Sequence, residues 1–215
     1  DPLAGDFFDL SFVNFTKRAP QQPRASFSRQ FDSSADRASS SFDQRHNLLF
    51  FSWWELPRGF RISQLAAIRS GFPYSVLIGS GNGLINQRAD LIRPDRIAAP
   101  PGTPAEPGSV ALLNRAAFAV PPAGVQGNTG RNAFGGPGLW STDVSISREF
   151  GLRPLGEAGR ITARADFFNL LNHANLNNPD SVLGSSTFGQ AAFGRLGYDT
   201  GFPALVPFNE TARQI

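Results

Sequence analysis

Cysteine is absent from the 215 residues, and so is methionine. Without Cys there is no disulfide framework, no thiolate metal site and no cysteine nucleophile. A natural translation product starts with Met, so its absence predicts a chain that is processed or is a piece of something longer. Lysine occurs once, at Lys17, so nearly all the positive charge behind the formal net +3 is Arg. These arginines are scattered singly with acids between them, whereas nucleic-acid binders concentrate basic residues in a patch or helix. No nucleic-acid partner is expected. The two histidines, His46 and His173, stand alone, and HANLNNPD has no metal-ligand spacing. Both read as polar strand-end residues. SxxK, GxSxG and a Walker loop are missing, and GSGNG (79–83) is not followed by a helical pattern. The expectation is no catalysis, no organic cofactor and no metal. DPLAGDFFDL lacks the basic and apolar regions of a signal peptide. No run of about eighteen apolar residues exists, so no transmembrane helix is expected. A β-barrel needs no such run.

What is present favours β structure. Phe is common at 20 residues, with 22 Gly and 17 Pro. The most informative stretch is 139–172, LWSTDVSISREFGLRPLGEAGRITARADFFNLLN. In its first half Trp140, Thr142, Val144, Ile146, Phe150 and Leu152 share one face. Ser141, Asp143, Ser145, Ser147 and Glu149 share the other, and Arg148 is the one break on the apolar side. In its second half Ile161, Ala163, Ala165, Phe167 and Leu171 oppose Arg160, Thr162, Arg164 and Asp166. Alternation at period two is the mark of a strand with one apolar and one polar face. RPLGEAG turns the chain between the halves. Each arm is about ten residues or more, the length that a tilted strand needs to cross a bilayer, against about five or six in a globular protein. The stretch therefore reads as a transmembrane β-hairpin with lipid on one side and water on the other.

The rest of the chain fits the same plan. FDQRHNLLFFSWWEL (42–56) is a strand with a polar start, an aromatic end and imperfect alternation. Pro57-Arg58-Gly59 is a tight turn. FRISQLAAIRSGFPYSVLI (60–78) is a second strand, with Phe60, Ile62, Ala66, Ile68, Phe72, Tyr74, Val76 and Ile78 on one parity and both arginines on the other. Gly71 and Pro73 mark a bulge or the point where it leaves the sheet. Residues 79–138 read as a long irregular outer loop, with SVALLNRAAF (109–118) as a helical turn capped by Ser109. A second loop runs from about 173 to 208, and NETARQI begins to alternate and stops, like the start of a cut strand. Strands are thus expected at about 42–56, 60–78, 139–152, 160–172 and 209–215, with 1–41 as an extracellular loop and strand end. Short turns and long loops alternate along this antiparallel meander, as in bacterial outer-membrane barrels. The fold class is all-β, a partial outer-membrane barrel of long transmembrane strands with long extracellular loops. Its lumen-facing polar residues are Asp143, Glu149, Arg160, Arg164 and Asp166. Its lipid-facing residues are Ile62, Ile68, Val144, Ile146, Ala163 and Phe167. On paper Asp143 and Asp166 would suit an acid/base pair, but nothing places them near a substrate.

Several stretches resemble the C-terminal barrel segment of TonB-dependent outer-membrane receptors, in particular the Oar-like group. They are FDQRHNLLFFSWWELP (42–57), SGFPYSV (70–76), NRAAFAVPPAGVQGNTGRNAFGGPGLWSTDVSISREF (114–150), RITARADFFNLLNHANLNNP (160–179) and SSTFGQ (185–190), in that order. The resemblance implies a barrel of about 22 strands, of which 42–215 would be the C-terminal part. It also implies an N-terminal plug domain, a TonB-contacting segment and energised uptake of a bulky solute such as a glycan, peptide or metal chelate. Partners are then outer-membrane lipid, the protein's own plug, TonB and an unidentified extracellular solute. The location is the outer membrane of a Gram-negative-type bacterium. The other readings are an outer-membrane adhesin or surface-binding barrel without transport, and a soluble β-sandwich acting on carbohydrate.

Overall fold

A computed structural model describes residues 34–79, 87–151, 159–193, 195–196 and 209–210. In chain order the strands are β1 (Asn47–Leu56), β2 (Phe60–Arg69), β3 (Pro73–Tyr74), β4 (Asp90–Leu91), β5 (Ser109–Ala111), β6 (Phe118–Ala119), β7 (Phe134–Gly135), β8 (Leu139–Gly151), β9 (Arg160–Phe167), β10 (Gln190–Ala192), β11 (Arg195–Leu196) and β12 (Asn209–Glu210). Every strand pair among them is antiparallel, and no α-helix occurs among the described residues. The fold is all-β, as the alternation predicts.

The four long strands form one sheet in the order β1-β2-β8-β9. Its ladder runs without a break from Asn47 opposite Arg69 to Leu56 opposite Phe60. It continues from Phe60 opposite Arg148 to Arg69 opposite Leu139, and from Val144 opposite Phe167 to Gly151 opposite Arg160. The β1–β2 turn is a single 3-10 turn over Pro57–Gly59. Pro57 presets the entry, and Arg58 and Gly59 take positive φ of 70° and 77°. Among the described residues, neither β1 nor β9 has a partner strand on its outer edge, so the sheet is open here.

The long strands are shorter than the alternation implies, for local reasons. β2 ends at Arg69 and not at 78, because the chain next packs on backbone. A Cβ on Gly71 would lie 1.9 Å from the Gly136 carbonyl oxygen, so only glycine fits that approach. β9 ends at Phe167 and not at 172, because Asn169 and Asn172 turn the chain through left-handed backbone at φ 47° and 52°. Leu171 therefore lies past the strand, exposed. β1 starts at Asn47 and not at 42, after a turn in which the Asp43 amide donates to the Ser40 carbonyl. The turn at 152–158, with Leu152, Pro154 and Gly156, falls outside the described residues, as do the loop glycines 81 and 83. Of 209–215, only Asn209–Glu210 is described as strand.

The long loops are where the structure departs most from the sequence reading. Residues 87–138 are a folded body and no irregular loop, and it closes over residues 173–193. β3 pairs with β7, β4 with β6 and β5 with β10, and isolated bridges join Leu77 to both Arg88 and Val182. Its core is Tyr74, Val76, Ala89, Leu113, Ala117, Phe118, Leu183 and Phe188, all buried. Rings run through it in sequence. Tyr74 stacks on Phe134 at 5.8 Å, Phe134 meets Phe118 edge-on at 5.7 Å, and Phe118 meets Phe188 at 5.7 Å. Arg115 then lies over Phe188 at 5.2 Å and donates to the Leu183 and Ser185 carbonyls. The segment expected as a helical turn from Ser109 is strand β5 followed by a 3-10 turn at Arg115–Ala117. Asn114 is its cap, its side chain accepting from the Ala116 amide. Ser109 instead donates from its hydroxyl to the Glu106 carbonyl and to Gln190.

Residues 34–41 are tied onto this body. Asp36 and Arg88 form a buried ion pair at 2.5 Å, and the Asn132 side-chain amide donates to the Ser39 carbonyl at 2.8 Å. Asn132 takes a φ of 47° and its amide donates to the Ser75 hydroxyl, which holds the bend. Removing one member of a buried pair is destabilising, by up to about 3–5 kcal/mol. Arg88→Leu should therefore release the loop body, read as rapid cleavage of 87–138 by added protease, while the long-strand sheet stays resistant. Burial also pushes the Tyr74 phenol above its ordinary range. The folded protein then holds that proton after the unfolded chain loses it near about pH 10. Its contribution is fully present below that pH and is lost as pH rises further. Tyr74→Phe should remove part of the alkaline opening of the loop body, followed by hydrogen exchange between neutral pH and pH 11.

Candidate functional site

Directly opposite residues of an antiparallel pair lie on the same face of the sheet. The register therefore assigns every long-strand residue to one of two faces. Leu48, Phe50, Trp54, Phe60, Ile62, Ala66 and Ile68 share a face with Trp140, Val144, Ile146, Phe150, Ile161, Ala163, Ala165 and Phe167. Ile62 sits opposite both Trp54 and Ile146, and Val144 opposite Phe167. All six residues expected to face lipid, Ile62, Ile68, Val144, Ile146, Ala163 and Phe167, fall on this side. Ser52, Gln64 and Thr142 interrupt it, and Arg148 is its only charge among the described residues of the four strands.

The other face collects the charges. Glu149 and Arg160 meet at 2.6 Å, with Arg61 4.0 Å from Glu149 and 3.5 Å from Glu55. Arg164 donates from Nε to Asp166 at 2.8 Å and to the Ser145 hydroxyl at 3.0 Å. Asp143 lies nearer the loop end and works locally. Its carboxylate accepts from the Asn169 amide at 2.8 Å and from the Ser141 hydroxyl at 3.3 Å. The structure thus joins four of the five expected polar residues into two pairs and places the fifth as a brace for the turn after β9. Asp143 and Asp166 belong to different hydrogen-bond networks. Exposed pairs of this kind contribute little to stability.

β1 breaks the division. Leu49, Phe51 and Trp53 lie on the charged face, opposite Ala67, Leu65 and Ser63, and are 57%, 63% and 60% exposed. The imperfect alternation of NLLFFSWWEL reflects this: its strand is apolar on both sides. Sequence reading left the facing open, and only the register assigns it.

At the loop end Trp140 and His173 rings lie 4.7 Å apart, and His173 Nδ1 is 3.1 Å from the Asn175 side-chain oxygen. His46 pairs through its backbone with Ser70. Among the described residues no group of three or more His, Cys, Asp or Glu is placed to hold a metal ion. The Asp36–Arg88 and Asn132 contacts escaped sequence reading. They join residues far apart within irregular segments, where no periodicity marks a partner.

A family model described as an outer membrane beta barrel domain matches residues 11–198. No curated protein and no solved structure matches the chain. That match covers most of the sequence, and the sheet beneath it has long antiparallel strands, one apolar face and one charged face. The chain belongs to the outer membrane beta barrel domain family and is located in the outer membrane of a Gram-negative-type bacterium.

Proposed function

We propose that this chain is part of the barrel wall of a TonB-dependent receptor. Its apolar face meets lipid, its charged face meets the lumen, and its loop body captures a bulky solute such as a glycan, peptide or metal chelate. A plug domain fills the lumen and TonB supplies the energy for uptake. The observation that carries this reading beyond a barrel is the apolar strip Leu49, Phe51 and Trp53 on the lumen face. A water-filled channel gives such a strip nothing to bury against. Covering side chains of this size is worth about 1.5–3 kcal/mol each, and a plug packed on β1 would supply the cover. The resemblance of the motifs between 42 and 190 to Oar-like receptors points the same way. The packed loop body also suits a surface-binding barrel without transport, because a prefolded surface binds with little ordering cost. Uptake that stops when TonB is removed separates the two.

Two outcomes test this reading. In the full-length protein, Trp53→Cys should react with an impermeant maleimide at least about tenfold more slowly than after deletion of the plug, the rate following its cover. Equal rates would remove the filled lumen. Arginine substitutions should sort by face and depth. Ile146→Arg lies near mid-strand on the apolar side and should block assembly, at about 2–4 kcal/mol. Ala163→Arg lies near the turn end and should cost about 0–1 kcal/mol. Ser145→Arg points into the lumen beside Asp166 and should assemble normally. Folded yield on heat-modifiable gels reads all three.

A further inference from the structure

The charged residues of the four long strands obey one rule with one exception. Glu55, Arg61, Arg69, Asp143, Glu149, Arg160, Arg164 and Asp166 all share the lumen-side face. Arg148 alone is on the apolar face, opposite Phe60 on one side and Ala163 on the other. Its guanidinium carbon lies 4.6 Å from the ring centroid of Phe60 and 4.6 Å from that of Phe150. Its Nε is buried without a hydrogen-bond partner among the described residues. Among the described residues of the four strands, no acid shares that face to neutralise it.

Its depth is informative. At about 3.4 Å per residue and a tilt of about 40°, the rise from Trp140 to Phe150 is about 26 Å, against an apolar band of about 25 Å. Trp140 and Phe150 then mark the two girdles, and Arg148 lies one pleat inside the girdle at the turn end. Short turns lie on the periplasmic side of such barrels. An arginine this near the interface extends its charged end to the headgroup level, with its stem along apolar surface. Both rings lie against the guanidinium, and with Nε buried it is the terminal N–H groups that serve as donors to a headgroup. A phosphate matches those groups in charge and in two-point geometry.

We infer that Arg148, clamped between Phe60 and Phe150, binds the phosphate of a phospholipid headgroup in the periplasmic leaflet. The site rests on the lipid-facing assignment of the apolar face and is independent of transport. It would anchor the turn end of β2 and β8 at a fixed depth.

Native mass spectrometry of the full-length barrel, titrated with dioleoylphosphatidylglycerol, tests it. A phosphate-free galactosyl diglyceride serves as the control lipid. Wild type should keep one tightly held phosphatidylglycerol. Arg148→Gln should weaken its retention by about tenfold, and Arg148→Lys by only about threefold, since an ammonium keeps the charge and loses the fork. Retention of the galactosyl lipid should not change, and millimolar inorganic phosphate should not compete. The inference is overturned if Arg148→Gln holds phosphatidylglycerol as wild type does. It is also overturned if both lipids weaken together or if inorganic phosphate displaces the lipid. Should Arg148→Gln fail to fold, the Arg148→Lys variant and the contrast between the two lipids on wild type decide the matter. Failure here leaves the facing of the sheet intact, because that rests on Ile146→Arg.

Discussion

In hydrocarbon no water is present to satisfy a backbone N–H or C=O, so every such group must find its partner inside the protein. The unbroken ladder of β1, β2, β8 and β9 meets that demand over its inner strands. Much else follows from it. Because the ladder has no bulge, one register fixes the facing of every residue across four strands. A slip of one residue would exchange the charged and apolar faces. The turn at Pro57–Gly59 holds that register at one end, with Arg58 and Gly59 both in left-handed backbone. At the other end the chain leaves the ladder at Gly71, where close backbone contact with Gly136 admits no side chain. Among the described residues the two outer edges have no partner strand. In a barrel, closure removes such edges.

The loop end is organised by a different force. Outside the apolar band water is available, and burial of rings does the work. Phe118 of NRAAF, Phe134 of GRNAFGGPG, Phe188 of SSTFGQ and Tyr74 of SGFPYS come from four separated motifs and meet in one core. This gives a physical reason for motifs whose order and spacing look characteristic but whose chemistry looks empty. They are packing residues of a prefolded loop body, tied to residues 34–41 through Asp36 and Arg88.

The long strands were legible because period-two alternation is a local signal. Val144, Ile146, Ala163 and Phe167 declared their shared face from sequence, and so did Glu149, Arg160, Arg164 and Asp166. What stayed hidden was non-local. The ends of β2 and β9 depend on a glycine contact and on two asparagines, and not on where alternation fades. β1 carries Phe50 and Trp54 on one side and Phe51 and Trp53 on the other, so no pattern within it could assign a face. The loop body was read as irregular because its strands are two or three residues long and pair across long separations. Ser109 looked like a helix cap because a short apolar run has no period of its own.

The central claim is that the face bearing Val144 and Ile146 meets lipid while the face bearing Asp143 and Ser145 meets the aqueous lumen. Nitroxide scanning of 140–150 along β8, in the full-length protein in bilayers, tests it most directly. Collision rates with oxygen, which concentrates in lipid, should peak at 140, 144 and 146. Collision rates with a polar nickel chelate should be higher at 141, 143, 145 and 147, or low on both counts where a plug covers the wall. A scan without period two, or with oxygen peaking at 143 and 145, would contradict the account.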